Sequence, residues 1–260
     1  MIKNIFILWF QGFENAPEVV KRCVESWMYY NKDWNIILLD NSNINNYISE
    51  GHYVFEKKQL EYYEKSDIIR LELLKKYGGV WADSTLFCNK PLDEWLGEHI
   101  NEGFFAFSKP ADDKSLSNWF LYSERESYIL NKWKTKMDEY YKFSNKSWNY
   151  FMMHYFFDDI KREDTNFKNI WERINHIKAK GPHMFNEKGY FSVDKTMKDQ
   201  IESNIDPVYK LSHKIEMEEY SKEKGMYYLY STIKKEKVSE LCPALYPLDR
   251  GHIIGIVVDN

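Results

Sequence analysis

Lys65-Ser66-Asp67-Ile68-Ile69-Arg70-Leu71-Glu72-Leu73-Leu74-Lys75-Lys76-Tyr77-Gly78-Gly79-Val80-Trp81-Ala82-Asp83-Ser84-Thr85 is the stretch that decides the fold of this 260-residue chain. It reads as an amphipathic helix, a glycine stop, and a short buried strand that ends on a carboxylate. Ile68, Ile69, Leu71, Leu73 and Leu74 cover a wide face of a helix predicted over residues 57–77. Gly78 stands where a left-handed C-cap residue belongs, and residues 80–82 form the strand. The layout aims Asp67, Arg70 and Asp83 at one small space beyond the sheet, the place where open α/β sheets bind ligands. Asp67 and Arg70 are three apart and share a helix face. Alone they would be an ordinary ion pair. Early in a helix whose later turns are apolar, they lie near the core and call for partners such as ligand hydroxyls or phosphates.

The N-terminal side supports an α/β fold. Residues 5–10 are a continuous apolar run, as a buried parallel strand should be. Asn15-Ala16-Pro17 predicts a helix start, with a polar cap and a proline in the first turn. Val20, Cys23, Val24, Trp27 and Met28 then recur at helical spacing. Residues 34–39 give a second strand that stops at Asp40-Asn41-Ser42, a turn signal. A β-α-β unit of this kind predicts a parallel sheet with a right-handed crossover. A further strand is expected at 103–107 and short helices near 43–53 and 91–96.

From Ser115 the pattern predicts long helices, at 128–143 and 147–161, followed by a loop at Lys180-Gly181-Pro182-His183 and a strand-like run at 253–258. No Gly/Ser or proline-rich linker divides the chain. The expectation is one domain: a core at 1–110, a helical insertion at 115–180 on the acceptor side, and a C-terminal closing segment at 181–260.

Composition narrows the function classes. A net charge of −4 and a sequence pI near 6.0, with both signs interspersed, argue against nucleic-acid binding. Aromatic residues make up 17%, enough to fill a core and also to line sites for sugars or nucleobases. Cys23, Cys88 and Cys242 form no CxxC pair, which fits reduced thiols in a cytosolic protein. The apolar opening is too short for a signal peptide or membrane span. The expectation is a cytoplasmic protein, at most peripheral on a membrane. GxGxxG, GxxxxGK[ST], GxSxG and HExxH are all missing from the sequence.

What remains is Ser66-Asp67-x-x-Arg70 followed by Tyr77-Gly78-Gly79-Val80-Trp81-Ala82-Asp83. This pattern resembles the sugar-nucleotide site of glycosyltransferase family 32 and its relatives, mannosyltransferases and the large clostridial glucosylating toxins. Ile7-Leu8-Trp9-Phe10-Gln11-Gly12-Phe13-Glu14-Asn15-Ala16-Pro17 and Trp81-Ala82-Asp83-Ser84-Thr85-Leu86-Phe87-Cys88-Asn89-Lys90-Pro91-Leu92 narrow the resemblance to the bacterial capsular polysaccharide synthesis branch. It is dense over residues 1–110 and patchy to about 213.

The resemblance implies a GT-A fold, a Rossmann-like sheet that binds a nucleotide diphosphate sugar through a D-x-D element, with a helical insertion and a C-terminal extension. It implies that Trp9, Phe10 and Gln11 hold the nucleobase and that Asp67 and Arg70 grip the transferred sugar. Asp83 would contact ribose or sugar and help hold Mn²⁺ or Mg²⁺, with Trp81 packed beside the donor. Gly181 and Pro182 would close on the donor, and His213 would be a C-terminal metal or diphosphate ligand. Thr85 departs from the pattern, since a neutral hydroxyl stands where a metal-binding aspartate is usual. Independently of the resemblance, His154 and Asp158 lie four apart on one helix face. Such a pair can orient an acceptor hydroxyl or act as a base, or simply make a structural hydrogen bond.

The implied activity is hexose transfer from a nucleotide sugar, UDP-linked, to a surface-polysaccharide acceptor carried on a lipid diphosphate, with retention of configuration. Two alternatives stand beside it, a non-catalytic sugar-nucleotide-binding subunit and a sugar-phosphate transferase.

Overall fold

The computed structural model describes residues 1–188, 194–214 and 225–233. The strand expected at 253–258, and Cys242, lie outside these residues. The elements run β1 (Asn4–Leu8), α1 (Glu18–Tyr30), β2 (Asn35–Leu39), α2 (Tyr53–Glu56), α3 (Tyr62–Tyr77), β3 (Gly79–Ala82), β4 (Leu86–Cys88), β5 (Phe104–Ala111) and β6 (Lys114–Ser123). They continue with α4 (Tyr128–Phe143), α5 (Met152–Glu163), α6 (Thr165–Arg173), α7 (Met184–Lys188), α8 (Lys195–Glu202), β7 (Val208–Lys210) and α9 (Gly225–Ser231).

The main sheet has the order β2-β1-β3-β6-β5. β1 pairs in parallel with both β2 and β3, as the β-α-β reading requires. The other half is antiparallel: β6 pairs with β3 and β5 pairs with β6. This corrects the expectation that the region from Ser115 to residue 128 belongs to a helical insertion. Lys114–Ser123 is a strand, nearly all of it buried because it lies inside the sheet with both faces covered. Its Trp119-Phe120-Leu121-Tyr122 run packs with Phe105, Phe107 and Trp95 in an aromatic core. The main sheet therefore extends past residue 110.

Helix boundaries also shift. Asn15 does not cap α1; it closes a 3-10 turn, and the helix starts after Pro17 with no side-chain cap. α3 begins at Tyr62 rather than 57, where the Glu61 amide donates to Glu64 Oε2 at 2.8 Å, half of a capping box. α5 begins at Met152 rather than 147. α3 ends as expected at Gly78, whose φ is +68°. Gly79 follows at φ +105°, and a Cβ there would lie 2.5 Å from the Asn4 carbonyl oxygen. Two consecutive glycines thus let α3 turn directly into a strand pressed against β1.

A second, two-stranded sheet joins β4 to β7, with Leu86 opposite Lys210. Trp27 of α1 donates from Nε1 to the Leu86 carbonyl at 2.7 Å, fixing β4 to the core. Cys23 and Cys88 are buried and unpaired, and burial pushes both thiols up, Cys88 to about 12. Among the described residues no helix is long and apolar enough to cross a membrane.

Candidate functional site

β1 and β3 run in parallel, so their carboxyl ends share one edge of the sheet. β6 runs the other way and begins at that edge, and α3, which returns the chain to β3, starts there too. These four elements, with α5 and the segment around β7, surround a cleft of about 550 Å³. Its walls include Trp9, Phe10 and Gln11 after β1, Asp67 and Arg70 from α3, Trp81, Asp83 and Thr85 from the β3–β4 segment, His154 from α5, and His213. Asp67, Arg70 and Asp83 meet as the spacing predicted.

Arg70 is the hub. Its Nη2 lies 2.9 Å from Asp67 Oδ1 and its Nη1 3.4 Å from Asp83 Oδ1. The remaining donors go to the Ser66 carbonyl (3.2 Å), the Ser66 hydroxyl (3.1 Å) and the Asn118 carbonyl (2.5 Å). The guanidinium also lies over the Trp81 ring, 5.0 Å from its centroid. Three hydrogen bonds to protein and two ion pairs thus hold the guanidinium in place. Arg70 positions the two carboxylates and is itself held by the Ser66 and Asn118 oxygens.

The carboxylates differ. Burial pushes Asp67 up to about 6, with Arg70 pulling the other way and Asp83 and Glu64 adding to the rise. Asn118 Nδ2 donates to it at 3.1 Å. Asp83 is also penalised by burial, yet Lys210 and Arg70 together hold it below the ordinary carboxylate value. Trp81 Nε1 donates to Asp83 Oδ1 at 3.0 Å, and Lys210 Nζ reaches Asp83 Oδ2 at 3.1 Å and Thr85 Oγ1 at 2.6 Å.

His154 lines the cleft with its Nδ1 buried and without a hydrogen-bond partner. Burial, then Arg70 and Lys114, push it down to about 4, so the imidazole is neutral at physiological pH. It does not pair with Asp158, whose Oδ2 accepts from the Ser115 amide at 3.2 Å, tying α5 to β6 away from the cleft. Gly181 and Pro182 also lie off the cleft wall. A Cβ on Gly181 would collide with the Asp206 carboxylate. The Pro182 carbonyl accepts from the Lys210 amide at 2.8 Å. Pro182 is thereby joined to Lys210, which does line the cleft. Their neighbour His183 does line it, accepting from Trp119 Nε1 at 3.0 Å.

Sequence reasoning missed Lys210, Asn118, Trp119 and the aromatic rim of Tyr62, Tyr63 and Tyr150. The alternation Val208-Tyr209-Lys210 signals a short strand, but nothing in it names β4 as its partner. Phe10 stacks on Tyr62 with centroids 4.9 Å apart, and Trp9 meets His213 edge-on at 5.5 Å.

The donor set does not suit the Mn²⁺ or Mg²⁺ expected at Asp83 and His213. Hard divalent ions want several anionic oxygens. Here both oxygens of Asp83 are engaged by Trp81, Arg70 and Lys210, and Thr85 offers a neutral hydroxyl that already accepts from an ammonium. Burial and the nearby Lys210 and Lys214 push His213 down. Among the described residues no group of three or more His, Cys, Asp or Glu is placed to hold a metal.

A family model described as capsular polysaccharide synthesis protein matches residues 1–231. The O-glycosyltransferase braB of Annulohypoxylon truncatum is 24% identical over 151 residues, covering 50% of this chain and 36% of the relative. A glycosyltransferase designated L373 of Acanthamoeba polyphaga mimivirus is 31% identical over 163 residues, covering 53% and 63%. The chain thus spans less than two thirds of the length of either relative. Among solved structures, the PaToxG glycosyltransferase aligns with a TM-score of 0.43 at 17% identity, covering 64% of this chain and 72% of that one. The catalytic domain of alpha-toxin from Clostridium novyi aligns with a TM-score of 0.35 at 12% identity, covering 92% and 81%.

Proposed function

The chain belongs to the capsular polysaccharide synthesis protein family, and from that membership and the cleft we propose that it is a glycosyltransferase that moves a hexose from UDP to a capsular saccharide. The observation that carries this reading is the convergence of Asp67 and Asp83 on Arg70 at the carboxyl edge of the parallel strands, beside an aromatic wall. Carboxylates held rigidly at that edge accept hydrogen bonds from sugar and ribose hydroxyls. Trp9 and Phe10, with Tyr62 stacked on Phe10, give a flat apolar surface for a nucleobase. Gln11 supplies an amide that can donate to or accept from the edge of the base.

The acceptor enters from the side of α5, where Tyr150 and Phe151 line the mouth of the cleft and are exposed. Neutral His154 is a hydrogen-bond acceptor for an incoming hydroxyl and, pushed down to about 4, a poor base at neutral pH. That agrees with a retaining transfer in which no side chain needs to take the acceptor proton early. We place the acceptor on a lipid diphosphate at the cytoplasmic face of the membrane, which the lysines and aromatic residues of α4 and α5 would approach.

The test is to incubate the protein with UDP-glucose, UDP-galactose and UDP-N-acetylglucosamine and measure UDP release. Turnover with one of them is expected. No binding and no turnover with any would end this reading. Saturable binding without turnover, even with a lipid-linked acceptor, would make the chain a non-catalytic subunit. UMP among the products would identify a sugar-phosphate transferase.

A further inference from the structure

We infer that the Lys210 ammonium is the cation that faces the donor's diphosphate, in the seat a divalent metal would otherwise take, so that this site works without a metal ion. The inference rests on the nucleotide-sugar reading above and deepens it. Both side chains that would form a metal-binding D-x-D pair, Asp83 and Thr85, are turned onto Lys210 Nζ, at 3.1 and 2.6 Å. The third position being threonine is then explained. A hydroxyl can accept from the ammonium without neutralising it, whereas a second carboxylate would cancel the positive charge left for the ligand.

The lysine is placed firmly. The ladder between β4 and β7 sets it opposite Leu86. Its own amide is held by the Pro182 carbonyl, and the Leu211 amide donates to the Thr85 carbonyl at 2.9 Å. An ammonium has three donors; two serve Asp83 and Thr85, and the third is available to the cleft, which Lys210 lines. Arg70, by contrast, is tied to Ser66 and Asn118 by hydrogen bonds and paired with both Asp67 and Asp83. In the transfer the bond from the anomeric carbon to the diphosphate oxygen breaks and its electron pair stays on that oxygen. The acceptor hydroxyl forms the new bond, and its proton passes to the departing phosphate. Lys210 opposes the charge that gathers on the leaving group.

Calorimetric titration of UDP into the full chain, with EDTA and separately with Mn²⁺, tests this. Affinity is expected to be the same in both, within about twofold. Lys210→Met should weaken UDP binding by about tenfold or more, with no rescue by Mn²⁺, and Lys210→Arg should recover part of the loss. UDP binding that requires Mn²⁺ in the unaltered protein, or normal UDP binding by folded Lys210→Met, would overturn the inference. Manganese electron paramagnetic resonance on the protein alone separates this from failure of the donor reading. The unaltered chain should hold no Mn²⁺ at Asp83, while the double variant Lys210→Ala/Thr85→Asp should gain a site. If UDP binds under neither condition the donor reading falls, and a Mn²⁺ site at Asp83 in the unaltered chain would still overturn the role of Lys210.

Discussion

Two cations reach Asp83, one at each carboxylate oxygen, and they stand in different surroundings. Arg70 arrives from α3, thirteen residues away in sequence, with its side chain 5% exposed and three hydrogen bonds to Ser66 and Asn118. Lys210 arrives from β7, 127 residues away, with its side chain 20% exposed and a donor to spare. The first belongs to the scaffold and the second to the working surface. Like charges beside one carboxylate can thus do different jobs, and burial together with hydrogen-bond satisfaction separates them.

Removing the shared carboxylate tests the site as a whole. Asp83→Ala should lower UDP release by roughly 10³-fold, since it leaves both cations without their common partner. A rate within a few-fold of the unaltered protein would mean the cleft has been misread. The sharper contrast compares the cations by stability. Arg70→Met should cost about 3 kcal/mol, because it strands the buried Asp67 carboxylate, whose cation Arg70 is. Lys210→Met should cost less than about 1 kcal/mol, because Asp83 keeps Arg70 and Trp81. Urea unfolding of both variants reads the difference directly, and equal losses would erase the distinction between scaffold and surface.

The helix-to-strand turn carries the Arg70 side, so straining it should disturb that side alone. Gly79→Ala puts a Cβ against the Asn4 carbonyl at a positive φ and should cost about 2–3 kcal/mol. Calorimetry should show the melting temperature falling by about 2–4 °C for each kcal/mol.

The smallest effect is a dependence on pH. Asp67 is raised to about 6 from 3.8, so between those values the folded protein holds a proton that the unfolded chain has released. Stability from this group therefore falls as pH rises through that window and reaches its low plateau above 6. Asp67→Asn should remove a difference of about 1 kcal/mol between pH about 5 and pH about 7.5, seen in urea midpoints. Activity should move the opposite way, declining below about pH 6 as the Asp67 carboxylate is protonated, with no further limb from His154 until it charges near 4.

Much of the Arg70 side is legible in the sequence because its parts are neighbours. Helical spacing sets Asp67 beside Arg70, the paired glycines end the helix, and a four-residue strand carries Asp83 to the edge. The parallel strands β1, β2 and β3 follow from apolar runs separated by a helix. The other side is not legible. β6 opens with Lys114-Ser115-Leu116-Ser117-Asn118, polar enough to read as the end of a sheet, and only its pairing with β3 and β5 makes it a central strand. The i,i+4 relation of His154 and Asp158 holds as helix geometry, yet β6 claims Asp158 through the Ser115 amide. Lys210 depends on the register of β4 against β7, which no local signal announces.

The pairing of β4 with β7 also orders events in time. A chain emerging from the ribosome completes α3, β3 and β4 more than a hundred residues before β7 exists, and long-range pairing is the slow part of folding. The growing protein thus carries its anchored pair of carboxylates early and receives the ammonium that balances Asp83 only once β7 has been made. Until then Asp83 has the charge of Arg70 alone, and the cleft lacks the contact that joins its two halves.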